Sequence, residues 1–318
     1  MAPTSKPRLG VSSCLLGQAV RYDGGHKRDP FCADVLGPFV EWVPVCPEVE
    51  VGMPVPRPAI RLTGRAAAPA LEAERTGEDW TARMQAFAEA RVAALSRLDL
   101  AGYVLKKDSP SCGMTRVRVH GPRGGAPSRD GVGAFARVLL ARLPLLPVEE
   151  EGRLHDPLLR ESFIERVFAY QRWKALVVAG LTRGRLVEFH TAHKLTLLAH
   201  SPDGYRRLGR LVAGAKGRPL AELADEYGAR FMAALARPAT RGRHLNVLQH
   251  MAGYFKRVEA PDRAELEEVV RDFGRGHVPL VVPLTLFRSQ VRRHGVAYLA
   301  GQTYLDPDPK ELLLRNHA

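Results

Sequence analysis

The hydrophobic pattern of this chain changes period once, around residues 144–156, and that change limits what each side of it can fold into. Before it, short apolar runs alternate with stretches at helical spacing. After it, amphipathic helical repeats follow one another with almost no strand signal. Residues 9–12 (LGVS), 39–45 (FVEWVPV) and 101–106 (AGYVLK) read as strands, and each leads to a turn that carries a cysteine. Between them, residues 79–98 place Trp80, Met84, Phe87, Ala88, Val92 and Leu95 on one helical face, with Asp79 as N-cap. Strand, helix, strand order with short strands predicts an α/β domain with a mainly parallel sheet. Ligands of such sheets gather beyond the carboxyl ends of the strands. Residues 116–120 (RVRVH) alternate like an edge strand, and 132–143 read as a helix.

The segment 144–156 (PLLPVEEEGRLHD) mixes proline, glycine and an acidic run, and marks a domain junction. At 318 residues the chain is long for one core, so two domains are expected, 1–152 and 153–318. The second is predicted to be all-α, with helices over 158–181, 186–199, 204–213, 220–234, 244–258, 263–273 and 283–294. Gly180, Gly214 and Gly274 stand near their ends. Residues 302–318 read as an extended tail with one short helical turn.

Apolar residues at 45% and charged residues at 25% exclude a fibrous or wholly disordered chain. The longest greasy stretch, 135–147, is broken by arginines and prolines and is too short to span a bilayer. No signal-peptide core follows the first residues, so a cytoplasmic protein without a membrane partner is expected. Net charge is +13 and unevenly divided: 20 Lys+Arg against 16 Asp+Glu up to residue 150, and 27 against 18 beyond it. Such a surface attracts polyanions, nucleic acid above all. An arginine-rich genome produces the same figure, so phosphate binding needs separate support.

Only four cysteines occur, all within the first 112 residues. Cys14 (SSCLLG), Cys46 (PVCPE) and Cys112 (SPSCG) each follow a strand and are flanked by serine, proline or glycine. Turns of that kind leave backbone N–H groups free and let the chain pass close to a bulky inorganic group. A cubane cluster held by three thiolates keeps one iron open, where a soft sulfur atom can bind. Zinc held by three cysteines and a fourth ligand such as His26 fits the same residue types. Cys32, inside the helical-looking FCADVLG, reads as a buried hydrophobe.

The runs VSSCLLG and VRYDGGHKRD, VCPEVEVGMPVPRPAIRL and LKKDSPSCG resemble the TudS-type thiouracil desulfidases, over roughly residues 7–150. The helical half, with FHTAHKLTLLAHSPDGYRRLGRLV and HLNVLQHMAGYFKR, resembles the domain fused behind the desulfidase in RudS-type proteins. The resemblance implies a 4Fe-4S cluster on Cys14, Cys46 and Cys112, with one iron open. It also implies that Glu48 and Ser109 are catalytic, and that the substrate is 4-thiouridine in tRNA or a free thiouracil. Residue chemistry agrees: exchanging C=S for C=O needs water, a proton shuttle and a place for the departing sulfur. Glu48, two residues past Cys46, is placed to move protons; Ser109, three before Cys112, to hold the base or water. A loop carboxylate and a turn serine are the plain alternatives. For the whole protein, the rivals are an RNA-binding protein with a structural metal centre and no turnover, and an electron carrier.

Smaller expectations fall on Arg57, Arg61, Lys106 and Lys107 as phosphate contacts or, at least as readily, solvated surface cations, and on Tyr22 to His26 as a glycine loop closing over a base. In the helical half, Arg206, Arg207 and Arg210, Arg241 and Arg243, and Lys256 and Arg257 form basic clusters interleaved with Tyr205, Tyr254 and Phe255. Cations among aromatics suit RNA, and so does a solvated basic face. His190, His193 and Lys194 are spaced to share a helix face, where buried or surface histidine is favoured over metal.

Overall fold

In a computed structural model of the chain, strand β1 (Arg8–Ser12) is buried from Leu9 to its end, as only a central strand of a covered sheet can be. The structure describes residues 6–121, 126–256, 258–307, 309–312 and 314–316. The chain forms two units, Met1–Asp156 and Pro157–Ala318.

In the first unit β1 pairs in parallel with β2 (Glu41–Val45) on one side and β5 (Gly102–Leu105) on the other. Strand β8 (Val148–Glu150) pairs in parallel with β5, giving the order β2-β1-β5-β8. Gly10 is required at the centre: a Cβ there would lie 2.1 Å from the ring of buried Tyr103 on the next strand. All four strands run the same way, so the segments after them emerge at one edge. The sheet is thus parallel as expected, but β8 lies inside the segment expected to be a junction. Glu149, Glu150 and Glu151 are all buried there.

A second sheet was not expected. Strands β3 (Ile60–Arg65) and β4 (Ala68–Ala73) form a hairpin, and β6 (Val117–His120) pairs in parallel with β3 and antiparallel with β7 (Ser128–Gly131). The strand expected at an edge is therefore an inner one, in the order β4-β3-β6-β7. Alternating burial reports one covered face, and inner and edge strands share that pattern. Helix α1 (Pro47–Glu50) follows β2 directly. Helix α2 (Thr81–Leu95) buries Met84, Ala88, Val92 and Leu95 as its spacing predicts, and Asp79 accepts the Thr81 N–H at 2.8 Å just before it. Helix α3 (Ala134–Arg142) closes the unit.

The second unit is helical: α4 (Pro157–Val178), α5 (Arg183–Ala192), α6 (Lys194–His200), α7 (Pro202–Ala213), α8 (Leu220–Leu235), α9 (Arg241–Ala252), α10 (Ala260–Arg275), α11 (Val281–His294) and α12 (Ala297–Ala300). Three expectations are corrected. The single helix over 186–199 is broken at His193. The helix expected over 263–273 runs on past Gly274, which is near its end as expected, and stops at Gly276 with φ +82°. The tail is packed, with Tyr304, Leu305 and Arg315 buried. Arg315 lies 3.5 Å from Glu161 and 3.2 Å from Glu165, whose carboxylate also meets His200 Nε2 at 2.9 Å. Burial opposes ionisation of Glu165, yet His200 and Arg315 hold its pKa down to about 2. No described helix is long and apolar enough to cross a membrane.

Candidate active site

Three parallel strands deliver the three cysteines to one cavity. A short 3-10 turn (Ser13–Leu16) after β1 holds Cys14, Cys46 directly follows β2, and the loop after β5 carries Cys112. All three line a cavity of about 510 Å³, within the ~300–1,000 Å³ usual for ligand sites. Cys14 and Cys112 are buried and Cys46 half-buried. Burial is the main reason their thiol pKa values rise, to about 11 for Cys14. The thiols also raise one another, while Lys106 and Arg21 oppose this at Cys14. The Ser12 hydroxyl donates to Cys112, easing the cost of a thiolate there.

Among the described residues, no three His, Cys, Asp or Glu are grouped so as to hold a single metal ion, and what the three thiols share is the cavity they line. His26 is exposed and is not part of the cavity wall, so it does not complete a zinc site with them. Cys32 is fully buried and stands outside the wall, as expected of a small hydrophobe.

The Cys112 loop is held from three directions. Its carbonyls at Pro110 and Ser111 accept the first N–H groups of α3, from Ala134 at 2.9 Å and Phe135 at 3.0 Å, and Gly113 C=O accepts the Gly133 N–H at 2.8 Å. Gly133 is required at this contact, since a Cβ would come within 2.6 Å of the Ser111 carbonyl. Glu151 accepts the Lys107 N–H at 2.7 Å and the Lys106 ammonium, and Glu150 accepts the Met114 N–H at 2.8 Å. Two consecutive carboxylates from the end of β8 therefore pin both ends of the loop. The acidic run expected to mark a domain junction is thus part of the site, held to residues 44 and 45 positions earlier in the chain.

Glu48 and Ser109 both line the cavity. The Glu48 carboxylate receives Arg57 Nη2 at 2.5 Å and Nε at 3.1 Å, and is only 14% exposed. Arg57 also donates to the carbonyls of Val20 at 3.0 Å and Pro54 at 3.2 Å. It is buried and committed to positioning Glu48, which corrects its expected role as a phosphate contact. The Ser109 oxygen accepts the N–H groups of Cys112 at 3.0 Å and Ser111 at 3.2 Å. A hydroxyl has two lone pairs, so Ser109 is left with its proton to donate. Tyr22 and Arg21 also form part of the wall, and Lys106 is tied to Glu151.

The basic residues of the second unit divide by environment. Arg206 and Lys256 are exposed, and Arg207 pairs with Asp203 at 2.9 Å. Arg241 donates to Phe273 C=O at 2.7 Å and covers the Phe273 ring; Arg243 donates to His200 C=O at 2.9 Å. Both clamp helix ends, which leaves them less to offer a phosphate. Arg257 lies outside the described residues. Phe255 is fully buried, so Tyr205 and Tyr254 are the aromatics near the surface, with Tyr254 stacked on Tyr298 at 5.0 Å between centroids. His190, in the last turn of α5, and His193, at the helix break, are buried core residues.

A parallel α/β unit with a three-thiol cavity at the carboxyl edge of its sheet defines the class of protein. Residues 9–151 match the family model of the 2-thiouracil desulfurases, and residues 194–309 match that of a domain of unknown function, DUF1722. Among solved structures the chain is similar to the 4Fe-4S-dependent thiouracil desulfidase TudS, at 34% identity over 50% of this chain and 100% of that one, with a TM-score of 0.41. Among curated proteins it is similar to the uncharacterized protein YbgA of Escherichia coli (strain K12), 34% identical over 158 residues, which are 49% of this chain and 94% of that one. Residues 9–151 therefore belong to the 2-thiouracil desulfurase family.

Proposed function

We propose that this protein is a 4Fe-4S-dependent, non-redox desulfidase that replaces thiocarbonyl sulfur by oxygen in a thiolated nucleobase, releasing sulfide. The convergence of three strand-end cysteines with Glu48 and Ser109 on one cavity carries this proposal. The donor set fits the cluster: thiolates are the ligands iron-sulfur groups take, and these stand around a space large enough for a multi-atom group. Cys14, Cys46 and Cys112 would hold it, and with three protein ligands it supplies an open, sulfur-binding iron.

The remaining work falls to side chains. Arg57 fixes the Glu48 carboxylate against the cavity wall, where it takes a proton from attacking water and returns one to the product or leaving group. Ser109, with both lone pairs used, donates its hydroxyl proton toward the base. Ser12 supports Cys112. The proposed substrate is 4-thiouridine in tRNA, or a free thiouracil, with the basic second unit as the tRNA-binding part. Its exposed Arg206 and Lys256, near surface tyrosines, are of the residue types that neutralise phosphate and stack bases.

Anaerobic reconstitution followed by turnover of thiolated tRNA and free 2-thiouracil tests the proposal, with wild type, Cys112→Ala and Glu48→Ala. Cys112→Ala is expected to lose the cluster's visible absorbance and its turnover, and Glu48→Ala to keep the absorbance and lose rate. A cluster intact in Cys112→Ala refutes the ligand assignment. Full rate in Glu48→Ala refutes the proton-transfer role.

A further inference from the structure

The three thiols differ in what favours their charge. Cys46 receives the backbone N–H groups of Glu48 and Val49 in α1, and Lys106 acts on Cys14. Cys112, only 6% exposed, is served by a hydroxyl instead. Alternate residues of a strand share a face, so Gly10 and Ser12 are neighbours on one face of β1. The Ser12 oxygen accepts the Lys106 N–H at 3.0 Å, and its proton goes to Cys112. Over Gly10, on that same face, lies the ring of Tyr103, its partner on β5: a Cβ on the glycine would meet the ring's Cε2 at 2.2 Å. The Phe135 ring stands 6.1 Å from the Tyr103 ring, and the Phe135 N–H is bonded at 3.0 Å to the carbonyl of Ser111, one residue before Cys112. The residues that hold the Cys112 end of the loop, Ser12 and Phe135, are thus neighbours of this one tyrosine.

Tyr103 itself is fully buried, and its hydroxyl has no hydrogen-bond partner among the described residues. An unpaired buried hydroxyl is costly, and phenylalanine would fill the same space without that cost. Of the ionisable groups around this oxygen, Cys112 acts on it most strongly, ahead of Glu50, Arg91 and Cys46. Glu50 is already engaged by the Cys46 N–H at 3.0 Å and by Arg91 at 2.9 Å. The capacity of Cys112 depends on its state. A thiol sulfur accepts hydrogen bonds weakly, and a charged thiolate accepts them strongly.

We propose that Tyr103 is a positioning residue of the reaction centre: its hydroxyl donates to the Cys112 sulfur once that sulfur is a thiolate ligand. Together with Ser12 it gives one of the three ligands a pair of O–H donors. This rests on the desulfidase proposal, which assigns Cys112 to the cluster, and adds an asymmetry among the ligands. Donors to a ligand sulfur draw charge from it and favour the more reduced state of the iron it holds.

Tyr103→Phe deletes one oxygen and keeps the ring. In the iron-free full-length protein its urea midpoint is expected to equal or exceed that of wild type, since no hydrogen bond is lost. After anaerobic reconstitution the opposite sign is expected. The reduction potential of the cluster's 2+/1+ couple, followed by electron paramagnetic resonance, should fall by about 59 mV, a tenfold change for one electron. Iron should also pass to a chelator several-fold faster, and the shift of the Fe–S(Cys) Raman bands in deuterated water should shrink. Ser12→Ala is expected to move the potential in the same direction. A role in packing alone would lower the iron-free midpoint and leave potential and Raman shift as they are, and that result overturns the proposal. So does a reconstituted Tyr103→Phe equal to wild type in both. If wild type takes up no cluster, the desulfidase proposal fails and this one falls with it; a cluster present in both proteins with equal potentials removes Tyr103 alone.

Discussion

His193 sits between two helices with Nδ1 2.8 Å from Phe189 C=O and Nε2 receiving the Arg172 Nε–H at 3.2 Å. That pairing is satisfied only by the neutral ring: a proton on Nε2 would face another N–H. Two further histidines of the second unit are buried in similar terms. His190 meets Tyr227 at 3.3 Å and its Nε2 has no partner, and His244 meets Tyr304 at 2.8 Å. Burial is the chief cause that lowers all three, to about 4 for His190 and about 3 for His193 and His244. Their folded pKa values lie below the unfolded value, so the unfolded chain binds more protons as pH falls below about 6.5. The stability they contribute is complete above that pH and is lost as pH falls from there through the folded values. At about pH 5 each ring costs roughly 1.5 pKa units, or about 2 kcal/mol, so the three together cost about 6 kcal/mol. This is comparable with the ~5–15 kcal/mol that holds a domain folded. Glu165, held at about 2, loses its contribution as pH falls from the ordinary carboxylate value of 4.5 towards 2, below this window.

The second unit is therefore expected to unfold in acid, well above the pH at which Glu165 titrates. Trp173 packs against Phe189 and Tyr227, with centroids 5.4 and 5.0 Å away, and reports on this region. In a Trp42→Phe, Trp80→Phe background its fluorescence isolates the unit during urea titrations between about pH 7.5 and 5. The midpoint should fall continuously across that range. A loss below about 0.5 kcal/mol would show that these rings accept protons without disturbing their packing, and the reasoning from burial would be wrong.

Two predictions concern the Cys112 loop. Gly133→Ala forces a methyl group against the Ser111 carbonyl and should cost about 1–3 kcal/mol in the first unit's urea midpoint. It should also reduce iron bound per chain after reconstitution, and unchanged values of both would refute the close-contact account. Glu151→Gln keeps the shape but removes the ion pair with Lys106 and weakens the acceptor for Lys107 N–H. A loss of about 2 kcal/mol is expected by denaturation, and a midpoint equal to wild type would show that the clamp adds nothing.

Much of this was legible in the sequence because burial and period coincide. The strands at 9–12 and 101–106 lie in a sheet covered on both faces, so they read as apolar runs. The cysteines after them were visible as residues following strands. What escaped notice depends on partners distant in sequence. The strand Ala68–Ala73 consists of alanine, proline, leucine and glutamate, weak strand formers that only pairing with Ile60–Arg65 explains. The acidic run at 149–151 read as a junction because buried acids are rare, and the groups that Glu150 and Glu151 hold lie about forty residues earlier in the chain. Arg57 looked like an exposed loop cation for the same reason: nine residues separate it from the carboxylate that captures it.

Thiols from one sheet and guanidiniums from another share one cavity, which joins two kinds of surroundings. The cysteine side is tied into β1, β2, β5 and the start of α3, where almost any substitution disturbs packing. Arg61 and Arg118 stand on the face of the second sheet opposite its buried residues, and replacing them deletes no core atom. Substitutions on this face can therefore accumulate while the packing that holds the thiols stays as it is.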